Sequence, residues 1–267
     1  MNTQNTTKTT ASQFGFTQAL LLLLISVAVS LPLGYILLDV KKFSPGFNNW
    51  IVLINYTVSF GIVFIIAKKW WQVKHIDDKK VNIVVYLLTI PLTVALAVIS
   101  EALASFIPMP ESFVKLFEQM IQINLQGFLT IVIIAPILEE LIFRGVILKR
   151  FLDKYSENKA IILSALIFGI AHANPWQFIG AVLIGIILGW IFVKTKSVLP
   201  GMFMHFINNL TGFVLAKKFS DVNVTFKDII GNTGYYISLL ILCILVIYAV
   251  YLILNKYFNK KQQIIIE

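Results

Sequence analysis

Charge is what this chain has least of. Of its 267 residues only 13% are Asp, Glu, Lys or Arg, while 58% are hydrophobic and the mean hydropathy is +0.84. Soluble domains run at about 25% charged and about 45–50% apolar. The apolar surplus exceeds what a water-soluble core can hold and has to face lipid, so the class expected is an all-α, polytopic membrane protein. Cysteine is nearly absent as well: the single Cys243 excludes an intramolecular disulfide and a cysteine-rich zinc module. In the last apolar run it reads as a small hydrophobe. Arginine is reduced to Arg144 and Arg150. The net charge of +9 would suggest nucleic acid in a soluble protein. Here the lysines lie between apolar stretches, so membrane topology explains them and no nucleic-acid partner is expected.

The intervals without charge lay out the chain. Residues 9–38 and 43–67 form gaps of 30 and 25, followed by 81–100, 119–138, 160–193, 197–216 and 229–255. A helix needs about 20 mostly apolar residues to span the hydrocarbon, so six of the seven gaps fit one helix each. The 160–193 gap is interrupted by His172-Ala-Asn-Pro175-Trp176. Asn-Pro reads as a break, leaving two short helices that span side by side or form a re-entrant pair. About eight transmembrane helices result. With a cytosolic N-terminus, the inside segments hold 15 Lys and Arg and the outside loops six. That places both termini in the cytosol and the protein in the cell membrane. The first apolar run, 15–38, is too long for a secretory h-region and reads as a retained helix. Trp70-Trp71 reads as an interfacial anchor. The sequence shows no internal repeat, low-complexity tract or soluble domain.

Ionisable groups inside membrane helices cost about 2.5–3.5 kcal/mol each on insertion scales and are functional candidates by default. Glu139, Glu140, Arg144, His172 and His205 occupy such positions, with Asn208 and Asn209 beside them. Glu140 and Arg144, at i and i+4, share a helix face and can neutralise each other. Glu139, rotated by about 100°, cannot easily share that partner. The pair is then either purely structural or a brace that leaves Glu139 free as a base. His172 alone would read as a helix-end hydrogen-bonding residue, and His205 with Asn209 as an interhelical polar contact. Depth joins them: Glu139, His205 and His172 lie about 15, 14 and 20 Å from the nearest inside lysines at helical rise. They meet near mid-membrane, in a polar cavity expected to open toward the cytosol.

A carboxylate, two imidazoles and an amide suit hydrolysis by activated water. A buried Glu takes the proton of water, and His and Asn donors hold the developing oxyanion. No serine elbow and no HExxH pattern is present. Glu139, His172 and His205 also make a two-His, one-carboxylate set, so a divalent metal such as zinc stays open.

Glu139-Glu140-x-x-x-Arg144, Phe168-x-x-x-His172 and His205-x-x-x-Asn209 resemble the three motifs of the CPBP intramembrane proteases. That group comprises the CAAX prenyl endopeptidases of the Rce type and the bacterial Abi, bacteriocin-processing and self-immunity proteins. The resemblance covers about residues 125–215. It implies an eight-helix bundle in which Glu139 with His172 activates water and His205 with Asn209 forms the oxyanion site, with Glu140 and Arg144 in support. It leaves the metal undecided, because the family has been described both as metalloproteases and as glutamate-type proteases. Three sections are expected: N-terminal helices over 1–124, a catalytic core over 125–216, and a last loop, helix and basic tail over 217–267.

The leading expectation is an intramembrane endopeptidase acting on a peptide or a lipid-modified protein. The alternative is a non-catalytic immunity or scaffold protein that binds a bacteriocin-like peptide. A transporter ranks third, without repeated broken helices to support it. Ala181, Gly185 and Gly189 form a small-residue packing stripe. Glu101 reads as an ordinary interfacial carboxylate. Residues 111–122 read as an interfacial amphipathic helix with Phe113, Leu116, Phe117 and Met120 toward lipid.

Overall fold

The computed structural model describes residues 14–41, 47–120, 123–219 and 225–266. Among these residues the structure is helical throughout, with a lone bridge between Asp78 and Ser197 and no strand. Five helices are long and apolar enough to cross a membrane: α1 (Phe16–Lys41), α2 (Asn48–Trp70), α3 (Ile83–Ala104), α9 (Pro175–Thr195) and α12 (Thr233–Ile266). Between α3 and α9 lie α4 (Glu111–Met120), a helical run over 125–152, and α8 (Glu157–Ala171); α10 (Leu199–Phe219) and α11 (Phe226–Ile230) follow α9. The run over 125–152 alternates α5 (Leu125–Phe128), α6 (Ala135–Ile142) and α7 (Lys149–Leu152) with π-helical turns at Leu129–Ile134 and Phe143–Leu148. The expectation of about eight crossings counted this run, α8 and α10 as well. The 15 residues of α8 rise about 22 Å, short of the hydrocarbon thickness. In α10 the polar motif residues His205, Asn208 and Asn209 lower the hydropathy, and the run over 125–152 is divided by π turns into α-helices of at most eight residues.

Local chemistry explains where helices begin and end. Asn82, Asn124 and Asn174 each accept a backbone N–H of the first turn, from Val84, Gly127 and Gln177. The break before Pro175 is built in the same way. His172 caps α8, Ala173 adopts a left-handed φ of +55°, and Asn174 Nδ2 donates to the His172 carbonyl at 2.8 Å. Pro175 then opens α9, where its missing N–H removes nothing.

Burial separates central from peripheral helices. In their most apolar windows α3 and α9 are 39% and 44% buried, whereas α1, α2 and α12 are 11–17% buried. The outer helices turn Leu24, Tyr35, Ile241 and Tyr248 outward, as lipid contact requires. The small-residue stripe lies between α8 and α9. A Cβ at Gly185 would stand 3.1 Å from Ala165 Cβ, and one at Gly189 would stand 3.2 Å from Ile161 Cγ2. Phe143, Ile147, Phe168, Leu188 and Met204 fill the core beside this seam.

Lysine-bearing helix ends converge at one end of the bundle. Lys149 Nζ donates to Asp77 Oδ1 at 3.0 Å and to the His75 carbonyl at 2.9 Å. Arg150 holds the Trp71 and Gln72 carbonyls, and Lys194 pairs with Glu157 at 3.2 Å. Of the two tryptophans expected to anchor at an interface, Trp70 is exposed, while Trp71 is buried, its ring 4.8 Å from that of Phe14. Cys243 packs in a small second cluster with Ala95 and Val98.

Candidate functional site

The motif-bearing run owes its shape to a proline and a π turn. In the first π turn the Ala135 N–H reaches back to the Thr130 carbonyl. Pro136, the next residue, has no N–H to give. The Ile131 carbonyl thereby loses its intrahelical donors, and a buried acceptor without a donor is costly. Asn209 of α10 supplies the replacement: its Nδ2 donates to Ile131 O at 2.8 Å, while its Oδ1 accepts from Asn208 Nδ2 at 3.1 Å. One Nδ2 hydrogen of Asn209 is thus committed to helix 125–152 and one is left.

One turn further, Glu140 and Arg144 form a buried pair, with Arg144 Nη1 donating to Glu140 Oε1 at 2.5 Å. The guanidinium also donates through Nη2 to the Gly185 carbonyl at 3.3 Å and lies 4.6 Å from the Phe168 ring centre. Glu140 itself fits because position 201 is glycine: a Cβ there would come within 2.6 Å of Glu140 Oε2.

Glu139 points elsewhere, toward α2. Tyr56 donates its hydroxyl to Glu139 Oε1 at 2.5 Å, and Tyr56 itself stacks on Phe60 with ring centres 4.3 Å apart. The second oxygen, Glu139 Oε2, is buried and accepts no hydrogen bond among the described residues. It lies 3.8 Å from His205 Nε2. His205 Nδ1 faces the other carboxylate, 3.5 Å from Glu140 Oε1. A separation of 3.8 Å is one that a single water can bridge.

His172 is held apart from this cluster. Its Nδ1 lies 2.8 Å from the Phe168 carbonyl. A carbonyl only accepts, so Nδ1 carries the proton and Nε2 presents a lone pair in the neutral ring. Phe168 separates the two imidazoles, edge-on to His172 at 5.1 Å and to His205 at 5.6 Å. Of the residues expected in the site, Glu139, Glu140, Arg144 and His205 form one contiguous cluster, Asn209 stands one turn along α10 from His205, and His172 faces them across Phe168.

His172, His205, Asn208 and Asn209 line a cavity of about 320 Å³, with Glu101, Trp176 and Phe226 among its other walls. Glu139 is set behind His205 rather than on the cavity wall. The lining comes from the ends of α3, α9 and α10 opposite the end where Lys149, Arg150 and Lys194 lie, so the cavity runs from the motifs toward Ala104, Ala216 and Phe226. Trp176 is positioned there by its Nε1–H bond to the Ile107 carbonyl at 3.0 Å and by Phe113 of α4, 5.2 Å between ring centres. Phe113 of the expected amphipathic helix therefore packs on the cavity wall. The side chains of Leu116, Phe117 and Met120 and residues 121–122 lie outside the described residues.

Among the described residues no three His, Cys, Asp or Glu side chains gather into a set able to hold a metal ion. Glu139 reaches His205, and the bond from His172 Nδ1 to Phe168 O leaves its Nε2 free, but the Phe168 ring stands between the two imidazoles. Among the described residues this arrangement does not fit a bound zinc ion.

Two residues escaped the sequence. Tyr56 stands in an apolar run as one more aromatic, and only the polar triplet Asn55-Tyr56-Thr57 in its middle marked the spot. Glu101 looked interfacial, yet it lines the cavity.

The family comparison falls on the stretch that carries the motifs. Residues 121–211 match the family described as Type II CAAX prenyl endopeptidase Rce1-like. A curated relative named "Putative membrane peptidase YdiL", from Bacillus subtilis (strain 168), is 32% identical over 77 residues, which is 29% of this chain and 32% of the relative. The chain thus spans about a third of the length of the curated relative it matches. No solved structure matches. The stretch that carries the three motifs is thus the one similar to the Rce1-like type II CAAX prenyl endopeptidases.

Proposed function

We propose that the protein is an intramembrane endopeptidase of the CAAX-protease type that hydrolyses a peptide bond with water activated by Glu139. The observation that carries this reading is the division of labour on one carboxylate. Tyr56 holds Oε1, while Oε2, 3.8 Å from His205 Nε2, has no donor among the described residues. A water shared by these two atoms loses its proton to Glu139 as its oxygen bonds to the scissile carbonyl carbon. The carbonyl oxygen becomes an oxyanion, which the His205 ring and the remaining Asn209 N–H are placed to meet. When the C–N bond breaks, the proton held by Glu139 passes to the leaving amine. The lone pair on His172 Nε2 offers a second acceptor on the far side of Phe168 and positions the substrate or water arriving through the cavity. Glu140 and Arg144 brace the helix from which Glu139 projects.

Substrate enters from the Ala104, Ala216 and Phe226 end of the bundle. The positive-inside orientation makes this the non-cytosolic half of the membrane, opposite to the cytosolic opening expected from the sequence, with both termini on the other side. The substrate class is a peptide or lipid-modified protein held within the bilayer. The test is an N-terminal profile of membrane peptides from cells carrying the wild-type or the Glu139→Gln chain. New amino termini present only with Glu139 support the reading; identical profiles would favour a peptide-binding immunity or scaffold role.

A further inference from the structure

Glu101 lies near the end of α3 and faces the same cavity as His172, His205 and Asn209. Its Oε2 is buried without a hydrogen-bond partner, and among the described residues no Lys, Arg or His forms an ion pair with it. Beside the carboxylate stand the Phe226 N–H and a second acid, Asp228. Asp228 is already engaged at the start of α11, where its Oδ2 accepts from the Thr225 hydroxyl and backbone N–H. The neighbouring walls are small: Ala97, Ser100, Ala104 and Gly180. A carboxylate placed in a membrane helix is costly unless it meets a positive group, and a half-satisfied buried acid marks where one belongs.

We propose that Glu101 anchors a cation subsite, which takes an ammonium or guanidinium group of the substrate. That group is either a Lys or Arg side chain near the scissile bond or a free peptide amino terminus. The small residues around Glu101 leave room for the aliphatic stem, and Oε2 provides an acceptor that none of the described residues satisfies. This inference rests on the proteolytic reading of the cavity and gives that site a substrate preference.

Binding tests it without turnover. The Glu139→Gln protein in nanodiscs is titrated with three pentapeptide amides: acetylated Ala-Ala-Lys-Ala-Ala, its acetylated norleucine twin, and the norleucine peptide with a free amino terminus. Binding is read by thermal shift. At least one cationic peptide should bind about tenfold more tightly than the acetylated norleucine peptide, the size expected of a hydrogen bond to a charged group. Whichever one does identifies the side chain or the terminus as the source. Adding Glu101→Gln should abolish the preference, and Glu101→Asp should keep part of it, which separates loss of charge from loss of fold. No preference for either cation, no cationic binding at millimolar peptide, or a preference that survives Glu101→Gln would overturn the proposal. Cleavage that persists in Glu139→Gln would instead overturn the hydrolytic mechanism and leave this binding result standing.

Discussion

The hydroxyl of Tyr56 donates to Glu139 Oε1 at 2.5 Å across 83 residues of chain, tying α2 to the motif helix at the proposed base. The bond fixes which oxygen is spent on the protein and which faces His205. Tyr56→Phe keeps the ring and its stacking on Phe60 but frees Glu139 to rotate. Turnover is expected to fall about tenfold, in line with one hydrogen bond to a charged group, and stability by about 1–3 kcal/mol because the buried carboxylate loses its donor. Kinetics and melting of the variant in detergent check both halves.

The Glu140–Arg144 pair predicts an asymmetry between single and double substitutions. Glu140→Gln or Arg144→Met alone leaves a buried group without its counter-charge and should cost about 3–5 kcal/mol. The double variant should recover much of that loss, because no uncompensated charge remains. Thermal unfolding of the three variants decides. Gly201→Ala should act on the same pair by overpacking, costing about 1–3 kcal/mol, since its Cβ would meet Glu140 Oε2 at 2.6 Å.

Asn209 has two jobs, and they can be separated. Asn209→Ala strips the Ile131 carbonyl of its donor and should destabilise by about 1–3 kcal/mol while lowering turnover. Pro136→Ala supplies a backbone N–H within reach of that carbonyl. In the double variant stability should recover and turnover should not, as melting and cleavage measured side by side will show.

The sequence exposed the three motifs because charge is so scarce in this chain that any acid or imidazole inside an apolar run stands out. The break at Asn174-Pro175 was equally plain, since capping and proline chemistry act locally. What stayed hidden depends on how helices are rotated against one another. Spacing puts Glu140 and Arg144 on one face, but it does not say which neighbour Glu139 meets, so the partner suggested by resemblance was His172 whereas the structure sets His205 beside it. The π turn at Leu129–Ile134 leaves the apolar pattern helical and becomes visible only through the bond from Asn209. Glu101 was misjudged for a related reason: its place near a helix end suggests an interface, while the packing of α11 over that end turns the carboxylate inward.

The direction of the cavity is open to chemical labelling. In a background where Cys243 is replaced by Ala, a cysteine at Ala216 should react with a membrane-impermeant maleimide added to intact cells. A cysteine at Lys196 should react only after the cells are opened. The opposite pattern would place the cavity mouth in the cytosol.

Cleavage by the Glu139→Gln protein, reconstituted and compared with wild type on a membrane peptide that the wild type cuts, tests the central claim most directly. Gln keeps the size of the side chain and an acceptor for the Tyr56 hydroxyl but cannot take a proton from water. The account predicts a folded protein, with a melting temperature close to wild type, whose cleavage is lost by at least about a hundredfold, the usual scale of general-base catalysis. Cleavage at the wild-type rate by that folded variant would contradict it.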